Sequence, residues 1–362
     1  MFFTLDRYIL REFFRIFLLS LLAMMAFYEM VTFIDMAGYF FKFKAPATVI
    51  GRYMLYKIPM ALFHVTPICV LLASVLTMTQ FSRTSELVAM KVAGMGLWRV
   101  AAPIIVASGA VSGLAFLDSE YLFHLAARET NRIMYEEIKH QERTTVFSRD
   151  RFWYMADDGA IWYLGAVDPK ARRLSDVSIF TTNGDGSVRA RYTADGAELV
   201  NNHWVFTNLT QRKFAPGGRF TETRWDKAPL DGGLVAIEEL GQARLDPEEM
   251  NLEQIREYIR GIRAKGYDTA AYVADMHAKV AFPLITLVMP LFAIPMGARS
   301  SRSGGLLAGI VVAVVIGVTF WFMFSMSVAF GRAGRLPPEL AAYGAHVVFG
   351  LAGLWMLVTD RR

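Results

Sequence analysis

One cysteine, Cys69, is the only thiol in this chain. A disulfide framework needs pairs within the chain and thiolate metal sites need several ligands, so both are excluded here. Cys69 lies in an apolar run, where a small packing residue is expected. The dipeptide Gly-Lys never occurs, which excludes a Walker A loop for nucleotide phosphates. H-E-x-x-H and G-x-S-x-G are also missing. The 6 histidines are scattered. No nucleophile–base set, metal site or cofactor motif is legible, and nothing points to nucleic acid. The expectation is therefore a non-enzyme whose work is powered by another protein. Charge is scarce as well, at 20% of 362 residues, while 54% are hydrophobic. That is too apolar for an ordinary soluble protein and too charged for one confined to lipid, so a mixed architecture is expected.

A bilayer core of ~30 Å takes about 20 apolar residues in a helix. Six segments qualify: Ile16 to Ile34, Ile58 to Phe81, Val100 to Leu117, Val280 to Ala298, Leu306 to Phe330 and Leu340 to Val358. The fourth is interrupted by Pro283, Pro290 and Pro295, and His64 and His346 are read as packed residues between helices. The first is too long for a signal peptide's apolar core and has no small-x-small site close behind it, so it reads as an uncleaved helix. Arg7, Arg11, Arg15, Arg83, Lys91, Arg99, Arg299, Arg302, Arg361 and Arg362 flank the spans on one side. The other side has the shorter set Lys42, Lys44, Arg52, Lys57, Arg332 and Arg335. The positive-inside bias puts both termini and the loop from Ser82 to Arg99 in the cytoplasm.

A long insert, Ser119 to Tyr272, then lies outside. Its centre reads as β. Aromatic-rich runs at Arg151–Met155 and Ala160–Val167 surround the turn Asp157-Asp158-Gly159. Val177–Thr182 and Val188–Ala194 flank Asn183-Gly184-Asp185-Gly186, a hairpin signal. Ala197–Val200, His203–Leu209 and Phe220–Trp225 follow, the last after Pro216-Gly217-Gly218. Short strands at this spacing predict an antiparallel jelly-roll-like domain. Tyr121–His140 and Asn251–Lys265 read as flanking helices, the second from Leu252, Ile255, Ile259 and Ile262. The fold class is thus an α+β membrane protein with six transmembrane helices and an inserted β domain. Residues 1–118 hold three spans, 119–272 the β domain and 273–362 the other three.

Between spans two and three lies Arg83-Thr84-Ser85-Glu86-Leu87-Val88-Ala89-Met90-Lys91-Val92-Ala93-Gly94-Met95. Ser85 can cap a short helix, Glu86 suits its first turn, and Gly94 can end it in a left-handed turn. Leu87 and Met90 share a face. So short a helix needs a partner surface: either the bilayer interface or a groove on a soluble ATPase. The pattern S-E-L-x-A-M-x-x-x-G resembles the coupling helix of the lipopolysaccharide-export permeases, the LptF/LptG family. Leu5-Asp6-Arg7-Tyr8-Ile9 is similar to that family's N-terminus, Phe33-Ile34-Asp35 to the end of its first span, and His277-x-Lys279-x-x-x-Pro283 to its fourth-span entry. The layout matches throughout, and the wording is nearer LptG than LptF.

The resemblance implies a permease in the bacterial inner membrane, with its β domain in the periplasm. It implies pairing of LptF with LptG on a dimer of the ATPase LptB. It implies that lipopolysaccharide is extracted from the outer leaflet and handed to bitopic LptC through the β domain. The alternative is a membrane-anchored β scaffold for a lipid-transfer bridge, with no transport of its own. Ser85, Glu86, Leu87, Met90 and Gly94 become the ATPase-coupling residues. For substrate, lipid A phosphates call for cations. Arg128 and Arg132 match basic positions of the family, and Lys42, Lys44 and Lys279 are further candidates. For each, the alternative is a side chain snorkelling to headgroups. Thr32 stands where the family has a basic residue. Glu29, a carboxylate within span one, is a functional candidate by its cost. Helices one and five of the family line a lateral gate, and Gly304, Gly305, Gly309 and Gly317 would permit close approach there. Phe152, Tyr154, Trp162, Leu164, Ile179, Val205 and Phe206 would face the β-domain interior, as a plain core by default or as a slide for acyl chains.

Overall fold

The computed structural model describes residues 2–140, 152–155, 159–168, 172–183, 187–200, 203–215, 219–229, 246–264, 268–300 and 305–359. The turns at Asp157-Asp158, 184–186 and 216–218, together with Arg302 and Gly304, lie outside them. The chain divides into two units. Met1–Lys139, Pro247–Arg260 and Asp268–Arg362 form the helical unit, and His140–Asp246 with Gly261–Tyr267 form the β unit.

Eight helices of the helical unit concern us: α1 (Phe2–Lys42), α2 (Ala47–Arg83), α3 (Glu86–Val92), α4 (Leu97–Ile138), α5 (Leu252–Ala264), α6 (Ala270–Ser300), α7 (Gly305–Arg332) and α8 (Pro338–Thr359). All but α3 and α5 are long and apolar enough to cross a membrane. Each contains one apolar segment read from the sequence, but the helices outrun those segments. Span three does not stop near Leu117. It continues to Ile138 through two π-helical stretches, Ser119–Phe123 and Ile133–Ile138. Helical hydrogen bonding is indifferent to the membrane edge, so hydropathy finds spans and not helix ends.

Helix α2 is the centre of the unit. Some 72% of its most apolar stretch is buried within the chain, against 6% for α1. Several of its polar side chains are satisfied locally or across helices, although the buried Thr77 hydroxyl has no partner among the described residues. Ser74 donates to the Val70 carbonyl at 2.7 Å and Thr66 to Leu62 at 2.6 Å. Thr79 reaches the Gly297 carbonyl on α6 at 3.4 Å. Helix α6 stays continuous across its three prolines. Ser112 of α4 donates to the Pro283 carbonyl at 2.8 Å, which ties α4 to α6. His64 bonds the Met60 carbonyl and packs among Tyr28, Phe63, Phe123 and Phe282. His346 donates Nε2–H to the Ala281 carbonyl at 2.8 Å, beside Phe320 and Phe324. Both are packed residues, as expected. Gly309 and Gly317 permit close helix approach, to Thr79 and Leu71 of α2.

The described residues of the β unit form a six-stranded antiparallel sheet, β1 to β6 in sequential order. The strands are β1 (Phe152–Met155), β2 (Ile161–Asp168), β3 (Arg173–Thr182), β4 (Val188–Val200), β5 (His203–Phe214) and β6 (Phe220–Pro229). Two strands expected from the sequence merge into β4, because Gly196 stays in the ladder, opposite Ser175 and Thr207. One face carries the core: Trp162, Leu164, Val177, Ile179, Trp204, Phe206 and Leu209, each at most 2% exposed. Val205 is a correction. In a strand of period 2 it cannot share a face with Phe206. It is half-buried on the opposite face, and Trp204 takes the inward place. The side chains of Phe152 and Tyr154 lie outside the described residues.

Candidate functional site

The helix between spans two and three exists, and its C-terminus closes as the sequence predicts. Gly94 has φ +84°. Its N–H bonds the Lys91 carbonyl and the Met95 N–H bonds the Met90 carbonyl, both at 3.0 Å. These are the two bonds of a Schellman closure, which needs a residue free to adopt positive φ. The N-terminus differs from expectation. Ser85 sits at φ +60° and makes no side-chain cap bond. Capping needs an extended backbone that aims the hydroxyl back at the first turn, and the left-handed turn at Ser85 removes that aim. Glu86 is held instead by Tyr8 Oη–H of α1 and Thr84 Oγ–H, each donating at 2.8 Å.

Leu87 and Met90 are 4% and 7% exposed and join Ile9, Phe13, Phe81 and Leu97 in the chain's own core. Burial of two such side chains, each worth about 1.5–3 kcal/mol, fastens a helix too short to survive alone. The face left open carries Val88 and Val92, 56% and 84% exposed and one turn apart. Asp6 of α1 receives both guanidinium nitrogens of Arg99 on α4, at 2.6 and 2.9 Å. The start of α1 is thereby tied to both α3 and α4.

The basic candidates at the other end of the bundle fall into two groups. Lys42 and Lys44 are exposed. The Lys42 ammonium lies over the Phe43 ring, and Lys44 occupies the left-handed turn that ends α1, at φ +52°. Arg128, Arg132 and Lys279 are engaged. Arg132 pairs with Glu129 at 2.8 Å and Glu137 at 3.1 Å. Arg128 donates Nε–H to the Glu249 carbonyl at 2.7 Å and a terminal N–H to Gln254 at 2.8 Å. Lys279 donates to the Met250 carbonyl. Two of the five thus hold one segment, Pro247–Arg260.

Glu29 has both carboxylate oxygens buried without a hydrogen-bond partner. The cation that attracts it is Lys57 of α2, which in the sequence stands out only as a flanking charge. Lys57 also attracts Glu248. Glu120 and Glu249 are likewise invisible to sequence reasoning. Glu120 bonds the Leu252 N–H at the start of α5, and Glu249 accepts from Asn131 at 2.6 Å. The capping box Asn251-x-x-Gln254 was the available signal that α5 begins there. Asn251 and Gln254 exchange side-chain-to-backbone bonds at 2.9 and 3.1 Å.

Among the described residues, six helices long and apolar enough to cross a membrane, with an antiparallel sheet inserted between the third and fourth, define a multi-pass α+β membrane protein. The family profile of the lipopolysaccharide export system permease LptF/LptG matches residues 7–359, and the chain belongs to that family. Among the proteins it resembles is the lipopolysaccharide export system permease protein LptG of Escherichia coli strain K12, 22% identical over 387 aligned positions spanning 98% of each chain. LptG of Escherichia coli O6:H1 is similar to the same degree.

Proposed function

We propose that this chain is one half of an ATP-driven exporter that draws lipopolysaccharide from the outer leaflet of a bacterial inner membrane. It passes the lipid through its β unit to a periplasmic bridge. ATP is hydrolysed in a partner, an LptB-like dimer; the other half is a second LptF/LptG-type permease, and an LptC-like bitopic protein receives the lipid. Both termini and α3 face the cytoplasm, and the β unit faces the periplasm. The observation that carries this reading is α3. It is sewn to α1, α2 and α4 through Leu87, Met90, Tyr8 and Thr84, yet offers an apolar ridge to something outside the chain. A helix built so is suited to transmit force in both directions between an ATPase and the bundle. The sparse burial of α1 supports a paired permease, since a helix left bare on most sides has room for a neighbour. Lys42, Lys44, Arg128, Arg132, Lys279 and Glu29 remain the residues we assign to substrate, and Ser85, Glu86, Leu87, Met90 and Gly94 to coupling.

Copurification tests the reading. The tagged chain, coexpressed with its paired permease, is expected to retain a nucleotide-binding subunit through detergent extraction, and Val92→Glu to lose it. A wild-type preparation without any such subunit would instead favour the scaffold role. Gly94→Val probes the same helix. No atom lies within 4 Å of the position a Cβ would take, so the cost is backbone conformation alone. A left-handed non-glycine residue costs about 1–2 kcal/mol. ATPase retention should fall roughly 5- to 30-fold, and retention at wild-type level in a titrated pull-down would show that the closure does not matter.

A further inference from the structure

The chain re-enters the helical unit through the segment Pro247–Arg260, and this strap is bound to the bundle at several points. Arg128 grips the Glu249 carbonyl and Gln254, and Lys279 grips the Met250 carbonyl. Asn131 donates to the Glu249 carboxylate, and Glu120 accepts from the Leu252 N–H at the start of α5. Two features of this arrangement are unusual. The acceptors that Arg128 and Lys279 use are neutral: two carbonyls and an amide. A guanidinium or ammonium gains from an anion a Coulomb attraction that a neutral acceptor does not offer, so these bonds are exchangeable for better ones. Secondly, the strap brings two adjacent carboxylates, Glu248 and Glu249, to this place. Glu248 lies in the field of both Lys57 and Lys279. Cations of α2, α4 and α6 thus meet a short acidic segment of their own chain.

We propose that the strap is an internal stand-in for the phosphates of the transported glycolipid, and that it latches the outer end of α4 and α6 until those phosphates displace it. The proposal rests on the permease reading above and adds a regulatory step to it. A lipid phosphate approaching Arg128 and Lys279 offers the oxygens of an anionic group where the strap offers two carbonyls and an amide. As those two side chains turn to the phosphate, the strap loses three of the bonds that hold it. Glu248 and Glu249 are then repelled by the arriving anion. The displaced segment is the one through which the chain returns from the β unit, so loading of substrate is reported along the backbone to that unit. Arg128 and Lys279 are here binding residues, whereas Glu120 and Asn131 are positioning residues for the latched state.

Amide hydrogen exchange on the assembled transporter in nanodiscs of zwitterionic lipid tests this. The probes are purified lipopolysaccharide and the same material dephosphorylated. With the phosphorylated lipid, exchange of the Leu252–Ile255 amides should rise at least about 10-fold, and with the dephosphorylated lipid it should stay near the unliganded rate. A double variant, Glu248→Gln with Glu249→Gln, removes the competing charge and should bind lipopolysaccharide roughly 5-fold more tightly in a direct binding assay. A role confined to folding predicts no gain in affinity. If lipopolysaccharide binds but strap exchange is unchanged or slower, the latch is wrong and the permease reading stands. If the wild-type assembly binds no lipopolysaccharide at all, both fall together.

Discussion

Glu86→Lys is expected to abolish lipopolysaccharide release while leaving the chain folded in the membrane. Two hydroxyls now converge on the Glu86 carboxylate, from Tyr8 and Thr84. A lysine accepts neither, and each lost bond is worth about 1 kcal/mol at an exposed site. The greater loss arises outside the chain. In the coupling reading, this carboxylate faces a basic residue of the ATPase, and reversing it sets like charges against each other at a cost of several kcal/mol. A docking loss on the order of 3 kcal/mol from that reversal alone is roughly 100-fold in the docked population. Transport from proteoliposomes should fall by about that factor, and ATPase copurification with it. Glu86→Gln should keep most function, since its one remaining oxygen still accepts from a hydroxyl. Tyr8→Phe should lie between, because it removes one donor and leaves the stack on Phe81. Full transport by Glu86→Lys would remove α3 from the coupling role.

Parts of this molecule were open to reading from the amino-acid order, and others were closed for definite reasons. The six spans were legible because a bilayer demands a run of apolar residues that few other environments demand. Helix ends were not, since α4 runs beyond Leu117 with charged residues and two π stretches. In α3, Gly94 announced its left-handed turn because so few residues tolerate one. The facing of Leu87 and Met90 was a question of which surface lay opposite. Spacing gives a shared face but not its partner, and the partner proved to be the chain's own core. In β5, alternation placed Phe206 inward and then had to place Trp204 beside it, which rules out Val205. The cations at the end of the bundle away from α3 were visible as residue types. Their attachment to the strap was not, because Arg128 and Lys279 bond backbone carbonyls, which every residue possesses. Glu29 stood out by its cost, and Lys57, the cation attracting it, emerged only when α1 was laid against α2.

Gly353→Leu should be severely damaging to the packing of the spans. Glycine in α8 lets that helix touch the backbone of α6. A Cβ at Gly353 would lie 2.8 Å from the Leu291 carbonyl carbon and 2.9 Å from both Leu291 Cβ and Phe292 N. Two of these three atoms are backbone, so no rotamer change can make room. A leucine there can be accommodated only by separating α6 from α8. Their shared core includes Ile285, Met289, Ala293, Ala345 and Phe349, all under 9% exposed. Overpacking a dense interior costs about 1–3 kcal/mol even where side chains can adjust, and more is expected where they cannot. Close packing between helices also carries most of the association energy in lipid, since lipid tails are no less apolar than leucine. The variant should lose several degrees of Tm in detergent and accumulate poorly in the membrane. Gly350→Leu is the control. It lies one turn earlier on α8 with open space around its Cβ position, and it should melt like the wild type. Equal melting temperatures for the two leucine variants would show that α6 and α8 do not meet as closely as described. A selective loss at residue 353, with transport falling in proportion to the folded fraction, would confirm that the α6–α8 contact supports the half of the bundle against which Lys279 and the strap are set.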